Sequence, residues 1–202
     1  MTTRETQSGE MQQRAVALLP FARRIGLRVF VLGALVQTVA VYLFAITVVT
    51  FGFYRRTQEG SEIWSWEGWK ETMNEQLPFW IGIAMGGLAL AVVSMPFGSW
   101  TGKMIGIRKR RLAWVGPLAA VVPSLVAGLV LVVVIITMKP TFYESYVDSF
   151  VYEFLFPVLF FSLLYYLPGI VTSLLGGLVI RQKMKSKTEE FEREMALQQQ
   201  HE

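Results

Sequence analysis

The stretch GSWTGKMIGIRKRR, residues 98–111, admits two readings that lead to different folds. In one it is a phosphate-binding loop following a strand, and the chain is a soluble nucleotide-binding protein. In the other it is the end of a membrane helix, and the basic cluster marks where the chain leaves the bilayer. A phosphate loop needs four residues between its glycines, then Lys and a hydroxyl residue that reaches the metal. Here three residues separate Gly98 from Gly102, and Lys103 is followed by Met104. The residues before the stretch are a long charge-free apolar run, not a short strand bounded by turns. The helical reading stands. Gly98, Gly102 and Gly106 recur every four residues, which on a helix aligns them along one face where a neighbouring backbone can approach closely. Lys103 is expected to snorkel to the headgroups, with Arg108 to Arg111 fixing the boundary.

Working outward, the composition is 53% hydrophobic and only 17% charged, and the apolar residues gather into four blocks. These are 29–51, 79–98, 113–138 and 154–180, and none contains Asp, Glu, Lys, Arg or His. About 20 apolar residues in a helix span a hydrocarbon core of ~30 Å. Backbone amides left unpaired in lipid cost several kcal/mol each, so a spanning segment is a helix or a barrel strand. Barrel strands alternate polar and apolar residues, and these blocks do not. The expected fold is an all-α membrane protein with four transmembrane helices. Residues 1–28 form an N-terminal amphipathic segment, 29–180 the transmembrane domain, and 181–202 a charged tail. The first block is too long for a signal-peptide core and no small-residue cleavage site follows it, so it is expected to remain as the first span.

Lys and Arg are distributed unevenly. Five fall in 1–28, five in 99–112 and five in 181–202, against three in 52–78 and one in 139–153. Alternate segments share a side, so fifteen basic residues lie on one side and four on the other. The positive-inside rule then places both termini in the cytoplasm and the first and third loops, with their eight acids, outside. The net charge of +4 is thus mainly a topology signal. No basic stretch carries the interleaved stacking aromatics of a nucleic-acid site, so no nucleic-acid partner is expected.

The candidate helix-packing residues are Gly82, Gly86, Gly98, Gly102, Gly106 and Gly177, facing small residues within the bundle or between subunits. The candidate mid-membrane polar site consists of Gln37, Ser94, Ser124, Tyr165 and Tyr166, at similar depth to Pro96, Pro123 and Pro168. Each proline frees a carbonyl one turn earlier, and a buried amide such as Gln37 needs several partners. In the first outside loop, Ser65 caps a short interfacial helix that presents Trp66 and Trp69 on one face. With Trp64 these form the candidate outer docking surface, and Pro78 joins this helix to the second span.

No catalytic residue, cofactor or metal site is assigned. The spans carry no ionisable relay, the single histidine is His201 in the tail, and there is no cysteine. The expected function is non-catalytic: an integral subunit or scaffold packing against other membrane proteins in a plasma membrane, the bacterial inner membrane. The alternative is a small oligomeric channel or facilitator for a neutral solute. The expected partners are the lipid bilayer and either further copies of the chain or other membrane-protein subunits.

Overall fold

The computed structural model describes residues 2–58, 70, 74, 76–108, 112–138 and 154–201, with side chains for 16–51, 70, 74, 76–108, 112, 114–138 and 154–197. It is all-helical over the described residues. The helices are α1 (Thr2–Gln58), α2 (Leu77–Gly106), α3 (Leu112–Met138) and α4 (Phe156–His201). All four are long and apolar enough to cross a membrane.

The helices form a ring in chain order, each packing on the next, with α4 closing on α1 and the α2–α4 diagonal the closer of the two. Neighbours are antiparallel. Gly26 of α1 lies beside Gly98 and Gly102 of α2 while Thr38 lies beside Gly87. Gly116 and Gly128 of α3 meet Ser173 and Ser162 of α4. The short link 107–111 makes α2 and α3 antiparallel neighbours.

α2 begins as the sequence leads one to expect. Pro78 sits in the first turn, where a missing N–H costs nothing, and Phe79 and Trp80 donate to the Gln76 carbonyl at 2.9 and 3.2 Å. Pro96, Pro117, Pro123 and Pro168 lie inside helices that nonetheless continue past them. In a membrane, neighbouring helices and hydroxyl side chains compensate the freed carbonyls.

Two of the helices extend well beyond their apolar blocks. α1 is one helix of 57 residues and α4 one of 46, about 85 and 69 Å at 1.5 Å per residue. The amphipathic N-terminal segment and the charged tail are continuations of spans, since Arg28–Val29 and Ile180–Arg181 contain nothing that breaks a helix. Both therefore run past the ends of α2 and α3 at the basic end of the bundle.

Two clusters of buried apolar side chains fill the interior. Toward the basic end are Ala22, Ile25, Phe30, Met104, Ile105 and Ile180, with neighbours. Toward the far end are Val41, Trp80, Ile83, Leu90, Leu131 and Tyr165, with neighbours. Ser94, Ser124 and Ser173 fall between the two clusters along their respective helices, and all are buried. The outward face is a continuous apolar surface, from Leu32, Leu35 and Val39 on α1 to Leu163, Leu167 and Val171 on α4.

Candidate functional site

The middle of the bundle is where the sequence locates its polar candidates. Gln37 is buried on the face of α1 that meets α4. Its amide nitrogen donates to the Thr172 hydroxyl at 2.8 Å, and Thr172 in turn donates to the Gly169 carbonyl at 3.2 Å. The close approach depends on Gly169: a Cβ there would stand 3.1 Å from Gln37 Nε2. The Gln37 carbonyl oxygen has no partner among the described residues, and neither has the Ser124 hydroxyl, 1% exposed on α3. A buried polar group left unpaired costs about 1–3 kcal/mol.

Among the described residues none of the other candidates hydrogen-bonds to Gln37. Tyr165 reaches across to α2, donating to the Ile83 carbonyl at 2.9 Å, with its ring fully buried. Its neighbour Tyr166 is half-buried, and Ser94 is buried on α2. Ser162 and Thr101 donate to carbonyls one turn back, at 2.5 and 2.8 Å. That local bonding satisfies the hydroxyl without a second helix. The polar level is therefore a set of separate interhelical and intrahelical bonds. Leu90, Leu131, Ile83 and Tyr165, all under 2% exposed, pack the far half of the interior.

The packing glycines all face inward. Gly98 and Gly102 lie against the backbone of Ala22 and Gly26 and the Phe30 side chain; a Cβ on Gly98 would stand 2.7 Å from the Gly26 carbonyl oxygen. Gly106 faces Met184 and Ala22, and Gly177 faces Leu112 and Ile105. Gly82 approaches Leu131, and Gly86 fits beneath the Tyr165 hydroxyl, 2.9 Å from where its Cβ would be. Each glycine meets another helix of the same chain.

Compared with protein-family models, curated proteins and solved structures, the chain matches none. The geometry alone bears on function. Among the described residues no group of His, Cys, Asp or Glu is arranged to hold a metal. Trp64, Trp66 and Trp69 lie outside the described residues, as does the interfacial helix expected there.

Sequence reasoning passed over three residues that matter here. Thr172 pairs with Gln37, and Gly169 makes room for it. Gly26 supplies the α1 side of the glycine contact but precedes the first apolar block. At the far end Trp80 packs at a tilt against Tyr42 and Phe79, with ring centroids 5.2 and 5.6 Å away, and Phe79 continues to Phe161 at 5.9 Å. This aromatic cluster arises from residues that individually look like ordinary span residues.

Proposed function

We propose that the protein is a non-catalytic, multi-pass membrane protein acting as an integral subunit or scaffold. In this reading it sits in a plasma membrane, the inner membrane of a bacterium, with both termini and the basic end in the cytoplasm. The observation that supports it most directly is the joint extension of α1 and α4 beyond the other two helices. Phe21 lies under the Lys187 ammonium, 5.9 Å from ring centroid to nitrogen, and Ala22 and Met184 share one apolar cluster. The pair is thus held together where it leaves the bundle and offers helical surface outside the bilayer. Because the glycine faces are occupied within the chain, partner contact falls to this extension and to the tryptophans of the first outside loop.

The test is the mass of the tagged protein extracted in mild detergent from its native membrane, with bound detergent subtracted. The expected result is a complex larger than the 22.9 kDa chain. Deleting residues 189–202 should reduce it, while Gln37→Leu should not. A monomer throughout overturns the proposal. Because the chain has no cysteine, single cysteines at Asn74 and Leu197 report topology. An impermeant maleimide added outside is expected to label only the first.

A second reading, an oligomeric facilitator for a neutral solute, is favoured by the unpartnered Gln37 oxygen and Ser124 hydroxyl. A homo-oligomer whose solute flux in proteoliposomes disappears with Gln37→Leu would establish it instead.

A further inference from the structure

Under the extension of α4, where α2 ends and α3 begins, lies a cavity of about 730 Å³, within the ~300–1,000 Å³ usual for small-molecule sites. Its walls change character along the helix axis. Ile105 of α2, Leu112 of α3 and Leu178 of α4 form the apolar part, and Arg181 and Lys185 line it further out. Positions 178, 181 and 185 recur at three- and four-residue steps and so share one face of α4. At 1.5 Å per residue, Arg181 stands about 4.5 Å and Lys185 about 10.5 Å beyond Leu178 along the axis. The last apolar block ends at Ile180, so this change coincides with the end of the span.

We infer that this cavity binds an acidic phospholipid, its phosphate between Arg181 and Lys185 and its first acyl carbons against Leu112 and Leu178. Leu178 is 54% exposed on the outward apolar surface, so a chain lying on it passes directly into the surrounding lipid. A free anion would leave that wall uncovered. The electrostatics favour a negative headgroup. α3 begins at Leu112 with no acidic residue in its first turn, and the N–H groups of a helix's first turn have no carbonyl partner within the helix. Arg108, exposed just past the end of α2, adds a positive charge at this end of the bundle. Glu189 also lines the cavity and lies 3.9 Å from Lys185. That exposed pair holds the lysine only weakly, and Glu189 itself sits one turn further from the phosphate than Lys185. Basic pockets between membrane helices are a recurrent way of recognising acidic headgroups.

The experiment is native mass spectrometry on the delipidated full chain, titrated with phosphatidylglycerol or with phosphatidylcholine of identical acyl chains. One phosphatidylglycerol is expected to bind about tenfold or more tightly than phosphatidylcholine. Arg181→Gln/Lys185→Gln should abolish that preference. Lys183→Gln/Arg193→Gln, which removes the same charge from exposed positions outside the cavity, should retain it. All four side chains are exposed, and unchanged elution and melting before lipid addition confirm that each variant is folded. Equal affinity for the two lipids in the unmodified chain overturns the inference, as does equal loss in both double variants. Displacement of phosphatidylglycerol by an equal concentration of inorganic phosphate would make this a free-anion site and overturn it as well. None of these outcomes depends on whether the protein has a partner subunit.

Discussion

The two seams that α1 makes within the bundle are built on different principles. Against α2 it presents Ala22 and Gly26, which meet Gly98 and Gly102 so closely that backbone faces backbone. Against α4 it presents Gln37, which bonds Thr172, while Gly33 of the same seam has ordinary room, a Cβ there standing 3.6 Å from Thr172. Lipid tails are as apolar as Leu, so apolar burial alone does not draw membrane helices together. The α1–α2 seam gains from dispersion between close backbones, which needs missing side chains. The α1–α4 seam gains from a polar bond, which needs both partners in place. The first tolerates no added atom at Gly98 or Gly102, and the second is weakened most by losing the hydroxyl that pairs the buried amide.

Gly102→Leu tests the first seam and carries the largest expected effect. A Cβ at Gly102 falls on the Ala22 carbonyl oxygen, and that obstacle is backbone, which can yield only if the helices part. Overpacking a tight core costs about 1–3 kcal/mol and occasionally more, and a Leu here belongs at or above the upper limit. Thermal unfolding in detergent should show a large loss, with Gly33→Ala as the contrasting variant. The latter has space and gains helix propensity, so it should be neutral or stabilising by up to about 1 kcal/mol. Equal tolerance of both substitutions would erase the distinction between the seams.

The second seam predicts an inversion of the usual order of severity. Thr172→Val leaves the buried Gln37 amide with neither of its polar atoms paired, and should cost about 1–2 kcal/mol. Gln37→Leu is the more drastic chemical change but removes the unpaired oxygen together with the donor. Thr172 keeps its own bond to Gly169, so this variant should lie near wild type. The double variant should match Gln37→Leu, placing the interaction energy in the pair. If instead Gln37→Leu is the costly one, the amide oxygen is engaged in the native state, and the facilitator reading gains accordingly.

Much of this architecture was legible in the sequence, and the gaps have physical causes. Four charge-free blocks and the four-residue glycine spacing pointed to helices packing through small faces, and those glycines do lie in helix contacts. What the spacing could not say is which helix each face meets, because the same pattern serves a neighbour in the chain or in a second copy. Gly26 precedes the apolar block that starts at Val29, and the helix passes unbroken through Arg28 between them. A membrane boundary is a change of solvent, not of backbone conformation. Thr172 carried a usable signal: it lies eight residues before Ile180, as Gln37 lies eight after Val29. Matched depth on antiparallel neighbours nominates the pair once the neighbours are known. The lipid cavity left no such trace, because its lining comes from three helices and only the α4 portion is periodic.

The smallest expected effect lies where the α1–α4 seam leaves the bundle. Lys187 donates to Glu190 at 2.6 Å and stands over Phe21, close enough for cation–π attraction. The hydrogen bond to Glu190 raises the Lys187 pKa above its ordinary value, assisted by the charges of Glu190 and Glu194 and opposed by partial desolvation. A raised lysine pKa stabilises the fold fully below the ordinary value of 10.5, and the contribution is lost as pH rises through the higher folded value. Lys187→Met keeps the aliphatic stem and removes the charge. Its melting temperature should fall slightly below wild type at neutral pH, hold that gap to the lysine range, and converge above it. Lys185→Met, which breaks a looser pair on the far more exposed side of the helix, should show no gap at any pH. A gap at neutral pH that persists beyond the lysine range would assign the Lys187 contribution to packing of its stem on Phe21, and the extension would then be held by shape, as the α1–α2 seam is, not by charge.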